Sequence, residues 1–208
     1  MARHSRAALL QRLLLVFIIG LGLTACDKGP FSPEARQQSE NLNQYMRTLK
    51  SALTVDDTFE WRTLSSGLII RALPYAPAVS QAANQRFADD PTFQKEAGAW
   101  NRVSKRSAQP VVILMGIYIQ DLAEKDITKL GRFRPRLKTA DGRLLQPLEI
   151  KRYGRDSVFI RDHFPVFNPW EEVFLVKFNS PDRRGPYAEP LEFVLEWPGG
   201  VQTLILNN

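Results

Sequence analysis

His163 is the one imidazole available for chemistry in the body of the chain, because the sequence holds two histidines and the other, His4, lies near the N-terminus. A single imidazole excludes a multi-histidine zinc or iron site. A Ser-His-acid hydrolase would have to use it, yet no Gly-x-Ser-x-Gly elbow occurs, and Arg161-Asp162-His163-Phe164 reads as a loop in an aromatic, proline-rich stretch. A turn or packing role is therefore expected. Asp121, Glu124 and Asp126 gather oxygen ligands of the kind calcium needs, but the glycine-punctuated loop is missing and Lys125 and Lys129 stand among the acids. A solvated connection is expected there. Other acids, such as Glu171 with Glu172 or Glu189 with Glu192, form no recognisable glycosidase pair, and no phosphate-binding glycine loop or dinucleotide fingerprint appears. No catalytic residue, metal or cofactor is expected. Cys26 is the only cysteine, so a disulfide within the chain is impossible.

Two stretches have the makings of a binding surface. Arg132, Arg134, Arg136 and Lys138 alternate with Phe133, Pro135 and Leu137, so an extended chain sets four cations on one face. Such a row suits lipid phosphates, cell-wall carboxylates or an acidic protein; equally, lysine, arginine and an in-strand proline protect an exposed sheet edge from unwanted pairing. The second stretch runs from Phe159 to Trp170 and concentrates aromatic rings around two prolines. Phe164, Phe167 and Trp170 either form a stiffened contact surface or plug one end of the fold.

The N-terminus has the zones of an export signal: basic Arg3, His4, Arg6 and Arg12, an apolar run from Leu13 to Leu23, then small residues. As a helix that run reaches about 16 Å, against roughly 30 Å of hydrocarbon, so a permanent span is disfavoured. Leu23-Thr24-Ala25-Cys26 resembles the lipobox of bacterial lipoprotein precursors, with the sole thiol at the position the family modifies. The resemblance covers Met1 to Asp27 and implies a thioether to diacylglycerol at Cys26, removal of residues 1–25, and a membrane anchor of two or three acyl chains. Asp27 resembles the enterobacterial signal for retention in the inner membrane. About activity the resemblance implies nothing. Removing the leader takes three of the 28 basic residues and none of the 22 acids, so the formal charge falls from +6 to +3. An exported chain of that modest charge is a poor partner for nucleic acid.

The elements that must position these residues follow from periodicity. Ser32-Pro33-Glu34 starts a helix, with a capping hydroxyl, a proline at the first helical position and an acid at the positive end of the dipole. Leu42, Tyr45, Met46, Leu49 and Leu53 then recur at helical spacing as one apolar stripe. From Thr58 the period becomes that of strands: Phe59, Trp61 and Thr63 alternate, Ser65-Ser66-Gly67 punctuates, and Leu68 to Leu73 returns as a hairpin. Two helical pieces follow, one around Val79, Ala83 and Phe87 and one starting at Asp90-Pro91, expected to cover one edge or end of a sheet. Val111 to Ile119 is apolar at alternate positions on both sides, which predicts a central strand buried on both faces. Arg132 to Thr139, Arg143 to Arg152, Ser157 to Arg161, Val173 to Asn179, Leu191 to Trp197 and Val201 to Leu206 read as further strands, with turns at Asp141-Gly142 and Pro198-Gly199-Gly200.

The expected fold is mainly β with helical additions: an antiparallel β-sandwich of immunoglobulin-like character preceded by an N-terminal amphipathic helix. The expected organisation is a leader over 1–25, a lipidated cysteine, short tether and helix over 26–56, and a sandwich-like domain over 57–208 with a helical insertion at about 76–106. The functional expectation is a lipid-anchored, periplasm-facing envelope protein that binds or scaffolds an envelope protein partner without catalysis. The alternative is a periplasmic enzyme acting on an envelope polymer through acidic residues.

Overall fold

A computed structural model describes residues 32–60, 65–102, 109–119, 133–180, 187, 190–197 and 200–206. The leader, Cys26, Asp27, the acids at 121, 124 and 126, and Arg132 lie outside them. The chain divides into a unit ending at Gln44 and a unit from Tyr45 to Asn208. Of the first, the structure describes the opening turns of helix α1 (Pro33–Ala52), where Ser32 Oγ accepts the Ala35 amide at 3.1 Å as the capping motif requires. Polar side chains dominate these turns, and Leu42 is exposed. The buried positions of the helix, Tyr45, Leu49 and Ala52, all fall in its second part, which belongs to the larger unit.

The larger unit contains two antiparallel sheets. In one, β1 (Thr54–Glu60), β2 (Ser65–Pro74), β3 (Val111–Ile119), β7 (Glu172–Phe178) and β6 (Pro147–Arg152) lie side by side in that order. In the other the order is β5 (Leu144–Leu145), β4 (Arg134–Lys138), β8 (Glu192–Trp197) and β9 (Gly200–Ile205). Side-chain alternation assigns each face. Ile70, Ile113, Met115, Phe174 and Val176 point from the larger sheet to Leu137, Phe193, Leu195 and Leu204 of the smaller one, making a shared core. Leu73, Val112, Leu114 and Leu175 point the other way. They meet Leu49 of α1, Val79 of α2 (Pro77–Arg86), Phe93 and Trp100 of α3 (Pro91–Trp100), and Ile160 of α4 (Val158–His163). The helices therefore pack on the face of the larger sheet over its central strands β2, β3 and β7, not at an edge or end of it. With a core on each side, β3 is buried along nearly its whole length, as its sequence predicts.

Two strand expectations need correction. Ser157 to Arg161 is not extended: Ser157 Oγ accepts the Ile160 amide and its carbonyl accepts the Arg161 amide, starting α4, which buries Ile160 and His163 one turn apart. Arg161, Asp162 and His163 thus stand on a helix and not in a loop. Arg143 to Arg152 does not run as one strand either, because it breaks between Leu145 and Pro147 and delivers β5 and β6 to different sheets. The turn at Asp141-Gly142 forms as its chemistry requires, with Gly142 at φ 84° and its amide donating to the Thr139 carbonyl at 2.8 Å.

Candidate functional site

The cationic row lies on β4, where Arg134, Arg136 and Lys138 face outward and Pro135 and Leu137 face the core. Strand β8 answers it in register: Glu196 stands opposite Arg134, Val194 opposite Arg136 and Glu192 opposite Lys138. Lys138 Nζ donates to Glu192 Oε2 at 2.9 Å, and Arg136 Nε makes an ionic contact with Glu196 Oε1 at 3.8 Å. On β9 the next positions in these ladders are Val201, Thr203 and Ile205. The outer face of the smaller sheet is therefore striped, with a basic, an acidic and a largely aliphatic row side by side. Val201, Ile205 and Leu144 at its margins are exposed. Among the described residues β5 pairs with β4 at Leu137 and Lys138 alone, and no strand pairs with that edge at Arg134 and Arg136.

The aromatic stretch divides. Phe164 and Phe167 are buried, Phe164 packing against Trp100 at 5.6 Å between ring centroids and against Tyr75 at 6.5 Å. Trp170 is 67% exposed. A contact surface made of all three rings does not exist, since two of them close the helical core and only the tryptophan meets solvent.

His163 is likewise enclosed. Its ring lies 4.6 Å from Phe87, 5.3 Å from Phe93 and 4.6 Å from Phe159 between centroids. Nδ1 sits 2.8 Å from the Phe159 carbonyl oxygen, which only accepts, so that nitrogen carries a proton. Nε2 sits 2.8 Å from Asp90 Oδ2. A general base needs a ring nitrogen free to meet a substrate, and here both are engaged. The Tyr45 hydroxyl donates to the His163 carbonyl at 2.5 Å, which joins α1 to the same cluster, and burial raises the Tyr45 phenol well above its ordinary range.

Two polar networks escape sequence reasoning because their members are far apart in the chain. Glu171 is 1% exposed; its Oε1 accepts from Arg71 Nε at 2.6 Å and from Asn168 Nδ2 at 3.2 Å, and its Oε2 accepts from the Asn168 amide. Burial raises its carboxyl above the usual range, and the Arg71 guanidinium offsets part of that rise. Gly116 makes room for it: a Cβ there would stand 2.7 Å from both Glu171 Oε2 and Phe167 Cδ1. In the second network Glu96 Oε2 accepts from Lys151 Nζ at 2.6 Å and from the Tyr153 hydroxyl at 2.7 Å, while Trp100 Nε1 donates to Tyr153. Burial alone would raise the Glu96 carboxyl, but the Lys151 and Tyr153 hydrogen bonds bring it below the usual range. The only sequence signal for either network was a glycine in the middle of an otherwise bulky strand.

Among the described residues no group of three or more His, Cys, Asp or Glu is placed to hold a metal ion, and no helix is long and apolar enough to cross a membrane. The chain matches no protein-family profile, and neither curated proteins nor solved structures show significant similarity to it.

Proposed function

We propose that this protein is a lipid-anchored component of the bacterial cell envelope, held through Cys26, that binds a protein partner on the striped outer face of its smaller sheet without catalysing a reaction. The observation that carries the reading is that face: charges of both signs and exposed aliphatic side chains lie in adjacent rows. A lipid or polymer of one charge sign would meet opposing as well as attracting groups there. A protein surface can match all three rows, with aliphatic contact supplying affinity and charge setting register. Asp27 supports retention at the inner membrane.

The enzymatic alternative is weaker. Glu171 is the buried carboxylate with raised proton affinity that such an enzyme would want, but both of its oxygens are occupied and it is closed to solvent. With the anchor at Cys26, a partner is expected within or near the membrane.

Two experiments test the reading. Metabolic labelling with palmitate should mark the native chain and leave Cys26→Ala unlabelled; label retained in that variant would end the anchoring half. In-cell photocrosslinking from position 203 should trap a discrete partner that Arg134→Glu with Arg136→Glu no longer recovers. Undiminished recovery by a folded double variant would end the docking half.

A further inference from the structure

Strand β9 ends the smaller sheet on one side, with β8 as its one strand neighbour among the described residues. The Leu206 amide donates to the Leu191 carbonyl at 2.9 Å, and the pairing of β8 with β9 continues from there in unbroken register. Hydrogen-bonded pairs alternate along an antiparallel ladder, so Leu204 and Gln202 also turn their amides and carbonyls toward β8. Those of Val201, Thr203 and Ile205 then point away from it. At one end the Thr54 hydroxyl donates to the Ile205 carbonyl at 2.8 Å, which sets the start of β1 against that part of the edge. Val201 and Thr203 each keep an outward amide and carbonyl.

The other sheet edges are blunted and this one is not. Across the smaller sheet the edge is the two-residue β5 and the stretch of β4 beyond it. There the same alternation turns the backbone of Pro135 outward, where a proline has no amide to offer, and Arg134, Arg136 and Lys138 surround it with charge. In the larger sheet β1 carries Asp56, Asp57 and a bulge between Thr58 and Phe59. Strand β6 begins at Pro147, shifts register before Glu149 and carries Lys151 and Arg152. By contrast β9 holds no charged residue and no proline, and its Val201 and Ile205 side chains are exposed. Such a strand is a template for another.

We propose that β9 pairs antiparallel with β9 of a second copy of this chain, about a two-fold axis at Gln202, joining two four-stranded sheets into one. Val201 then stands opposite Thr203 of the second copy, and each such pair exchanges two backbone hydrogen bonds. The axis falls at Gln202 because a centre at Thr203 would bring Val201 against Ile205, whose carbonyl Thr54 already holds. Charge selects the occupant. The row is neutral, so it does not repel its own copy, and it offers a foreign strand no charge by which to be chosen. The acidic rows of β8 in the two copies stand three strand spacings apart, about 14 Å, beyond the screening length of about 8 Å in physiological salt. Pairing β4 with itself would instead bring two cationic rows together. The contact uses the backbone edge and is independent of whether the striped face takes a partner.

The test is the mass in solution of the full chain in detergent, by light scattering, with amide hydrogen exchange read on the same samples. A dimer is expected, in which exchange at Val201 and Thr203 slows as concentration rises. Thr203→Pro removes an outward amide and takes nothing from β8, so it should give a monomer. Val201→Lys with Thr203→Lys sets like charges opposite one another and should also give a monomer. Val201→Lys with Thr203→Glu sets opposite charges there and should keep the dimer. That variant separates strand pairing from unspecific aliphatic contact, which both charged variants would abolish. If the proline variant does not fold, the two charged variants decide. A native chain that stays monomeric at every concentration, a dimer that survives in the double-lysine variant, or one lost in both charged variants overturns the proposal.

Discussion

His163 joins two helices through Asp90: its Nε2 lies 2.8 Å from Asp90 Oδ2, while Oδ1 of the same carboxylate caps α3 by accepting the Thr92 and Phe93 amides. The end of α4 and the start of α3 therefore share one carboxylate.

Acid should weaken this junction. The His163 hydrogen bond, and after it the Phe93 amide, holds the Asp90 carboxyl below the usual carboxylate range. A group depressed in the folded state stabilises fully above its unfolded value, and that contribution is lost as the pH falls through the folded one. Asparagine still caps a helix. The gap between urea midpoints of the native chain and Asp90→Asn should thus be widest near neutrality and close on acidification; a gap that persists unchanged into acid would show that the charge is immaterial. Replacing His163 with Gln should lower the urea-derived stability by about 1–3 kcal/mol, since the ring is packed among Phe87, Phe93 and Phe159.

The Arg71 and Glu171 pair should respond to pH in the opposite sense. Arg71→Met leaves a buried carboxylate unpaired and should destabilise by about 3 kcal/mol at neutral pH. Without the guanidinium only the Asn168 hydrogen bonds oppose burial, and the proton affinity of Glu171 rises further. A carboxyl raised in the folded state loses stability as the pH climbs through its folded value, so this variant should become more stable on mild acidification. Adding Glu171→Leu should recover much of the loss and remove the pH response. Denaturant midpoints at several pH values decide it, and a single variant indifferent to mild acid would contradict this account.

Gly116→Ala should destabilise by about 1–3 kcal/mol through overpacking. The methyl would meet a carboxylate tied to Arg71 and Asn168 on one side and the Phe167 ring on the other. Neither can retreat freely. Thermal unfolding of the variant is the measurement, and an unchanged midpoint would mean the loop carrying Phe167 yields more easily than its contacts suggest.

Tyr187 completes the ladder where β2 ends. Its hydroxyl accepts the Val112 amide at 2.9 Å and donates to the Val112 carbonyl at 2.8 Å. The carbonyl has a second donor in the Tyr75 amide; the Val112 amide is served by the phenol. Tyr187→Phe should lower stability by about 1–3 kcal/mol and speed hydrogen exchange at Val112 ahead of its neighbours. Exchange unchanged at that amide would refute the assignment.

Much of this architecture is legible in short-range pattern. Ser32 and Asp90-Pro91 announce helix starts because capping is a local event, and the apolar run of β3 announces burial on both faces because its neighbours cannot alter its composition. What fails is whatever depends on distant partners. Val158-Phe159-Ile160 reads as a strand by side-chain type, and only the Ser157 cap and the burial of Ile160 with His163 make it helical. Leu144 to Arg152 reads as continuous because nothing local says that its halves join different sheets. Of the candidate surfaces, the alternation of Arg134, Arg136 and Lys138 is visible, but the acids that answer it come from β8, more than fifty residues later.

The double burial of β3 binds the two cores into one cooperative unit. Ile113, Met115 and Ile117 serve one side, and Val112 and Leu114 the other, on a single backbone. Neither side can melt while the strand keeps its place, and the strand cannot leave without exposing both. Damage in the helical layer should therefore propagate as global unfolding, with a single calorimetric transition for the whole unit, and not as a loosened lid over an intact sandwich.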